Sequence, residues 1–212
     1  MKSKLTTIFL VAILIIGVIL IFINPIQNKV IETNSKALLK DEVVPEEQVK
    51  EATFDFNEVQ SINFTDVLTA QFEKNNFLVI GAITIPSVNL ELPIGKGVSE
   101  AVLLYGAGTM KPDQKLGQGN YALASHYIEG KNILFGPLYD VKIGDSILVS
   151  DTTDIYEYKI TVKEVILDTD VQVIYDVPGK TFITLITCAE KGTKRLLVQG
   201  ELLNVNKLEQ QY

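Results

Sequence analysis

Tyr156-Glu157-Tyr158-Lys159-Ile160-Thr161-Val162-Lys163 alternates aromatic or branched apolar residues with charged or hydroxyl residues at every second position. A period of two marks a strand with one face buried and the other in water. Outward from it the same texture continues, as short β-branched or aromatic runs at 79–85, 89–93, 120–126, 146–150, 155–167, 182–188 and 195–203, separated by Gly, Pro, Asn and Asp. Such spacing predicts an all-β barrel or sandwich. The run 182–188, Phe-Ile-Thr-Leu-Ile-Thr-Cys, hardly alternates and reads as a central strand buried on both faces. A short helix is compatible with 66–75, where Val67, Leu68 and Phe72 would form the apolar face.

Upstream of the β-rich part lie two segments of different character. Residues 5–23 form an uncharged apolar run, long enough at about 1.5 Å per residue to span a bilayer core of about 30 Å. Lys2 and Lys4 precede it, which favours a cytoplasmic N-terminus and an external body. A cleaved secretory signal would have a shorter apolar region and small residues at its cleavage site, whereas this run ends in Phe22-Ile23-Asn24-Pro25. Residues 25–60 are polar and acidic around Asp41-Glu42-Val43-Val44-Pro45-Glu46-Glu47 and read as a stalk. The expected organisation is therefore a tip and transmembrane anchor over 1–24, a stalk over 25–60 and a catalytic body over 61–212. With 212 residues and a formal charge of −7, the chain has room for one well-buried domain, and nucleic acid is excluded as its main partner.

Cys188 is the only cysteine and His126 the only histidine, and Arg195 follows the cysteine by seven residues. A thiol near neutrality needs a group to take its proton, and imidazole is the usual one. A guanidinium adds a fixed fork of donors for a carbonyl or oxyanion. Strand parity puts Ala122 and Ala124 on the face of His126, with Tyr121, Leu123 and Ser125 on the other, so small residues flank the imidazole. The alanines either leave a slot for a ligand or relieve crowding inside a barrel.

Taken together, Thr184-Leu185-Ile186-Thr187-Cys188 with Lys194-Arg195-Leu196-Leu197-Val198 downstream and Asn120-Tyr121-Ala122-Leu123-Ala124-Ser125-His126 upstream resembles the sortases, specifically the class A, housekeeping type. The stretches Gly81-Ala82-Ile83-Thr84-Ile85-Pro86, Leu92-Pro93-Ile94 and Leu134-Phe135-Gly136-Pro137-Leu138 and the N-terminal anchor extend the resemblance over nearly the whole chain. Ser125 departs from it, since many relatives have glycine before the histidine.

The resemblance implies an eight-stranded sortase-type β-barrel with short helices, preceded by the transmembrane helix. It implies a membrane-anchored cysteine transpeptidase that cuts a Leu-Pro-x-Thr-Gly (LPXTG) sorting signal between Thr and Gly and joins the threonine to an amine of a cell-wall precursor. Cys188 would be the nucleophile, His126 the general acid and then base, and Arg195 the oxyanion or carbonyl donor. Substrate-binding positions would be Ala124, Ser125, Thr184, Ile186 and Thr187, with Val171, Val173 and Ile174 from the segment 167–180. The valines are equally readable as core, and the Ser125 and Thr187 hydroxyls as structural. The implied partners are LPXTG-bearing surface proteins and a lipid II or peptidoglycan cross-bridge amine, at a Gram-positive cell surface.

No cofactor or metal is expected. Some sortases bind calcium beside the histidine strand, but Met110-Lys111-Pro112-Asp113-Gln114-Lys115 offers one carboxylate and two lysines, a poor cage for a cation that takes six to eight oxygens. Three alternatives stay open. A pilus-polymerising sortase would usually show an Asp-Pro-aromatic lid and a second, C-terminal membrane helix, and neither is expected here. A cysteine peptidase would pass the same acyl group to water, and a peptide-binding module would need no nucleophile.

Overall fold

A computed structural model describes residues 2–50, 52–55, 70, 77–128, 132–189 and 192–208. Eight strands close into a barrel: β1 Val79–Ile85, β2 Leu90–Gly95, β3 Ala107–Thr109, β4 Asn120–Ala124, β5 Ser146–Ser150, β6 Asp154–Leu167, β7 Phe182–Ala189 and β8 Lys194–Lys207. Their order around the barrel is β1-β2-β3-β4-β7-β8-β6-β5, and β5 returns to β1. Most neighbours are antiparallel, but β2 with β3 and β4 with β7 run parallel. Closure leaves no sheet edge to pair with another chain.

Seven of the strands coincide with the runs read from sequence to within a few residues. The eighth, Ala107-Gly108-Thr109, has a single β-branched residue and no aromatic, and three residues are too few to carry a pattern of their own. It forms because Gly108 and Thr109 pair with Ala124 and Leu123 of β4. The helix α2, Glu100–Tyr105, is likewise unannounced, and it fills the crossover between β2 and β3 with every residue from Ala101 to Tyr105 buried. The helix suggested at 66–75 lies outside the described residues apart from Ala70.

The alternating run in β6 has a kink in its pattern. Tyr158 and Ile160 are fully buried in the main core, but the pairing with β8 slips between Ile160 and Val162. A bulge of this kind shifts side chains to the opposite face. Val162 and Ile166 accordingly join a second, smaller apolar cluster with Met110, Ala122, Ile186 and Leu197, so Val162 does not share the face of Tyr158.

The N-terminal helix α1 spans Lys2–Leu38 and, at 1.5 Å per residue, is about 55 Å long. Its first half exposes Ile8, Phe9, Leu10, Ile13, Leu14 and Ile15. Among the described residues no helix is long and apolar enough to cross a membrane. The second half behaves differently from the stalk read from its composition: Ile31 and Leu38 are buried in the main core, and Asn34 and Ser35 are buried beside them. Beyond the helix, Val44 N–H donates to the Val79 carbonyl and Val98 N–H to the Thr53 carbonyl, so the chain follows the barrel wall. Composition hid this because few apolar residues, Ile31, Leu38, Val43, Val44 and Val49, sit among many charges and make no sustained period.

Candidate active site

Among the residues singled out by the sequence, Cys188 and Arg195 lie on the adjacent strands β7 and β8, and His126 follows the end of β4 on the other side of β7. Ala122 pairs with Thr184 and Ala124 with Ile186; across β7, Thr184 pairs with Gln199, Ile186 with Leu197 and Cys188 with Arg195. The β4 pairing continues past the strand end, since Ser125 N–H donates to the Ile186 carbonyl at 3.3 Å. His126 lies two residues past Ala124, and Cys188 two residues past Ile186. Cys188 and Arg195 thus head a cross-strand row whose β4 side leads into His126, followed down the same face by Ala124, Ile186, Leu197 and then Ala122, Thr184, Gln199.

Cys188 is a free, half-buried thiol. The Tyr139 hydroxyl donates to its carbonyl at 3.1 Å, which pins the nucleophile's backbone, and the Tyr139 ring packs on that of Tyr127 at 4.7 Å. His126 is 5% exposed. Its carbonyl accepts from Phe135 N–H, in a turn that forces Leu134 to φ +52°. A leucine held left-handed costs roughly 1–2 kcal/mol, and the burial of Leu134 and Phe135 against the barrel offsets it. Nε2 of His126 lies 3.4 Å from Oε1 of Glu100, and among the described residues neither atom has a hydrogen-bond partner of good geometry. Arg195 Nη1 donates to the carbonyls of Gly192 and Lys194, so one nitrogen of the fork is tied to its own loop.

Below the row the groove face is lined by the second cluster. Ala124, Val173 and Ile174 pack against Ala122, Ile186, Leu197 and Met110, so these expected pocket positions come together. Thr184 is buried, and its hydroxyl accepts from Gln199 Nε2 at 3.0 Å. Val171 is 57% exposed and stands apart from the cluster. Ser125 and Thr187 also leave the pocket: the Thr187 hydroxyl donates to the Ser125 carbonyl, and the Ser125 hydroxyl to the Gly106 carbonyl at 2.6 Å. Both have the opposite parity to His126 and Cys188, and both staple backbone behind the row.

The segment that covers the groove is itself tied down. Val171–Ile174 is a short 3-10 turn between β6 and β7. Asn120 donates its side-chain amide to the Val173 carbonyl, and Asn120 N–H and Lys111 Nζ both bond Asp176 Oδ1, at 2.9 and 2.6 Å. These contacts hold the Asp176 carboxyl below the usual range, with the lysine bond the largest cause. At Gly119, φ is +54° and a Cβ would stand 2.8 Å from the Asp176 carboxyl, so only glycine suits the approach. Sequence reading missed Glu100, Tyr139 and Asp176. Their partners are distant along the chain and no spacing rule links them.

Residues 83–203, more than half of the chain, match the sortase domain family. Sortase A of Streptococcus agalactiae is 38% identical over 202 residues, covering 91% of this chain and 82% of that protein. Sortase A of Listeria monocytogenes is 40% identical over 206 residues, covering 93% and 91%. The solved structure of Listeria monocytogenes sortase A is 43% identical and superposes with a TM-score of 0.60, covering 62% of this chain and 92% of that one. Sortase C1 of Streptococcus suis, at 26% identity, superposes at 0.56 over 70% and 89%. With its closed eight-stranded barrel and its full-length likeness to sortase A, the chain belongs to the sortase family of cysteine transpeptidases.

Proposed function

We propose that the groove face of β4, β7 and β8 binds a Leu-Pro-x-Thr-Gly sorting signal and that the row at its end cuts and transfers it. The observation that carries the reading is the row itself, in which Cys188, the only thiol, pairs with Arg195, and the strand paired with β7 on its other side leads into His126, the only imidazole. The Cys188 thiolate attacks the threonine carbonyl, and Arg195 donates to the oxygen as negative charge develops there. Collapse of the tetrahedral intermediate breaks the Thr–Gly bond, and His126 gives its proton to the departing amine. The thioester is then attacked by an amine of a peptidoglycan precursor such as lipid II. His126 takes that amine's proton and the thiolate departs, which restores both groups. The small side chains of Ala122 and Ala124 leave room for the apolar Leu-Pro part against Ile186, Val173 and Ile174.

The same reading places the body outside a Gram-positive cell, anchored by residues 5–23 with the N-terminus in the cytoplasm. Its support is the uncharged apolar sequence, the two lysines before it and the exposed large side chains along it. Turnover is assigned no calcium. Lys111 already brings a cation to Asp176, so the loop contact that a metal would bridge is made by an ammonium. Equal rates with calcium and with chelator are expected, and strong activation by calcium overturns this.

The test uses the full chain in detergent with a Leu-Pro-Glu-Thr-Gly peptide, with and without triglycine, followed by mass spectrometry. A ligated Leu-Pro-Glu-Thr-triglycine product and a transient adduct on Cys188 are expected. Free threonine acid alone with amine in excess would overturn transfer in favour of a peptidase. With a lysine-bearing acceptor peptide offered beside triglycine, products joined only through the lysine side chain would favour pilus polymerisation.

A further inference from the structure

We infer that Glu100 is the positioning residue for His126, holding the imidazole by its Nε2–H so that Nδ1 is the nitrogen that exchanges protons during transfer. The inference deepens the reading above and rests on His126 as the acid and base of that reaction. Three observations lead to it. Oε1 of Glu100 and Nε2 of His126 are 3.4 Å apart, with side chains 27% and 4% exposed. Both atoms are sealed from solvent and have no other hydrogen-bond partner among the described residues. A buried N–H and a buried carboxylate oxygen that face each other with nothing else to bond are each other's partner. Hydrogen bonds of catalytic groups are commonly long without substrate and tighten in the Michaelis complex.

The third observation concerns how Glu100 is held in place. It opens α2, and that helix is stapled to the residue preceding the histidine: the Ser125 hydroxyl donates to the Gly106 carbonyl at 2.6 Å and lies 3.4 Å from that of Leu103. Leu103 and Gly106 are the last turn and the end of the helix that Glu100 begins. The strand end bearing His126 and the helix bearing Glu100 are therefore fixed to each other by a bond independent of the ion pair. The serine before His126 gains a function in this arrangement, since glycine at 125 would have no hydroxyl to make the staple.

A carboxylate on one ring nitrogen does two things for a histidine that must carry and release a proton. It selects the tautomer, leaving the other nitrogen's lone pair free when the ring is neutral, and it balances the charge when the ring is cationic. In the transfer cycle Nδ1–H is lost to the departing glycine amine and regained from the attacking amine, while Nε2–H stays on Glu100 throughout. Glu100 itself touches no reacting atom.

Because His126 is the sole histidine, selectively 15N-labelled histidine gives one pair of ring resonances, readable without any turnover. With neutral imidazole the native chain is expected to show Nε2 protonated and Nδ1 bare. Glu100→Gln, which keeps an acceptor and removes the charge, should displace the Nε2 resonance. Glu100→Ala should also populate the second tautomer. In peptide transfer, kcat should fall about tenfold for Gln and up to about 100-fold for Ala, no more than the low end of the range, about 10²–10⁴, that a positioned acid or base itself contributes, while KM for the peptide stays within about twofold.

Ring resonances unchanged in both variants would overturn the pairing whether or not the chain transfers peptides. A fall in kcat without a change in the ring would also overturn it, as would a KM effect alone. If Glu100→Ala does not fold, the near-isosteric Glu100→Gln decides by the same two readings.

Discussion

The two faces of the β4-β7-β8 sheet share every backbone atom and almost nothing else. One face carries Tyr121 and Leu123, Ile183 and Leu185, and Leu196 and Val198, all sealed in the main core. The other carries Ala122, Ala124 and His126, Thr184, Ile186 and Cys188, and Arg195, Leu197 and Gln199, an arrangement of small, polar and reactive groups. Period two is what separates them, so neighbouring residues answer to different demands. Large apolar side chains on the first face fix where the strands lie. The second face is then free to hold chemistry in a register it does not itself have to stabilise.

This division makes its sharpest claim at Cys188. Cys188→Ala removes the nucleophile from the groove face and leaves the core face untouched. Transfer is expected to fall by about 10⁴–10⁶, as when other covalent nucleophiles are removed, with the thermal midpoint nearly unchanged. A large loss of stability would mean that the two faces are not independent. Arg195→Lys keeps the charge and loses the fork, and is expected to lower kcat by about 10²–10³. Near-native turnover would remove Arg195 from the transition state.

A paired experiment on adjacent residues compares the faces directly. Leu185 is fully buried in the main core, whereas its neighbour Ile186 belongs to the smaller groove cluster. Leu185→Ala should cost about 2–5 kcal/mol in denaturant unfolding, the usual range for a cavity in a core that cannot collapse. Ile186→Ala is expected at the low end of that range, with a raised KM for the peptide. Reversed outcomes, stability lost at 186 and affinity at 185, would invert the assignment of the faces.

Much of this was legible in the chain. The alternation of β6, the boundaries of β1 and β5, and the parity of 120–126 all follow from side-chain period, because a strand half in water has to alternate. What the sequence concealed depends on partners far along the chain. Three small residues, Ala107-Gly108-Thr109, become a strand only because β2 and β4 flank them. A bulge in β6 moves Val162 to the groove face, and nothing in Lys159-Ile160-Thr161-Val162 announces it. The hydroxyls of Ser125 and Thr187, adjacent to the two catalytic candidates, turned out to bond backbone, because residues beside a site in sequence lie on the opposite face of a strand.

The smallest expected effect tests how the groove is covered. Lys111 and Asp176 join the turn before β4 to the segment after the Val171–Ile174 turn, and Asn120 adds its amides to the same segment. Asp176 is 67% exposed, so the ion pair itself is worth at most about 1 kcal/mol in stability. Lys111→Met should therefore leave the unfolding midpoint almost unchanged. It frees one of several attachments of the groove's cover, and KM for the peptide should rise a few-fold at constant kcat.

The sign of the pH dependence follows from the lowered Asp176 carboxyl. A group whose acidity is increased by folding stabilises above its ordinary value of 3.8, and that contribution fades as pH falls through the lowered folded value. Across neutral pH the clamp is constant, so the Lys111→Met difference in KM should be the same at each pH assayed there. A difference that changed with pH near neutrality would place some other titrating group in the contact. A difference abolished by added calcium would mean that the loop can still recruit a metal once the lysine is gone.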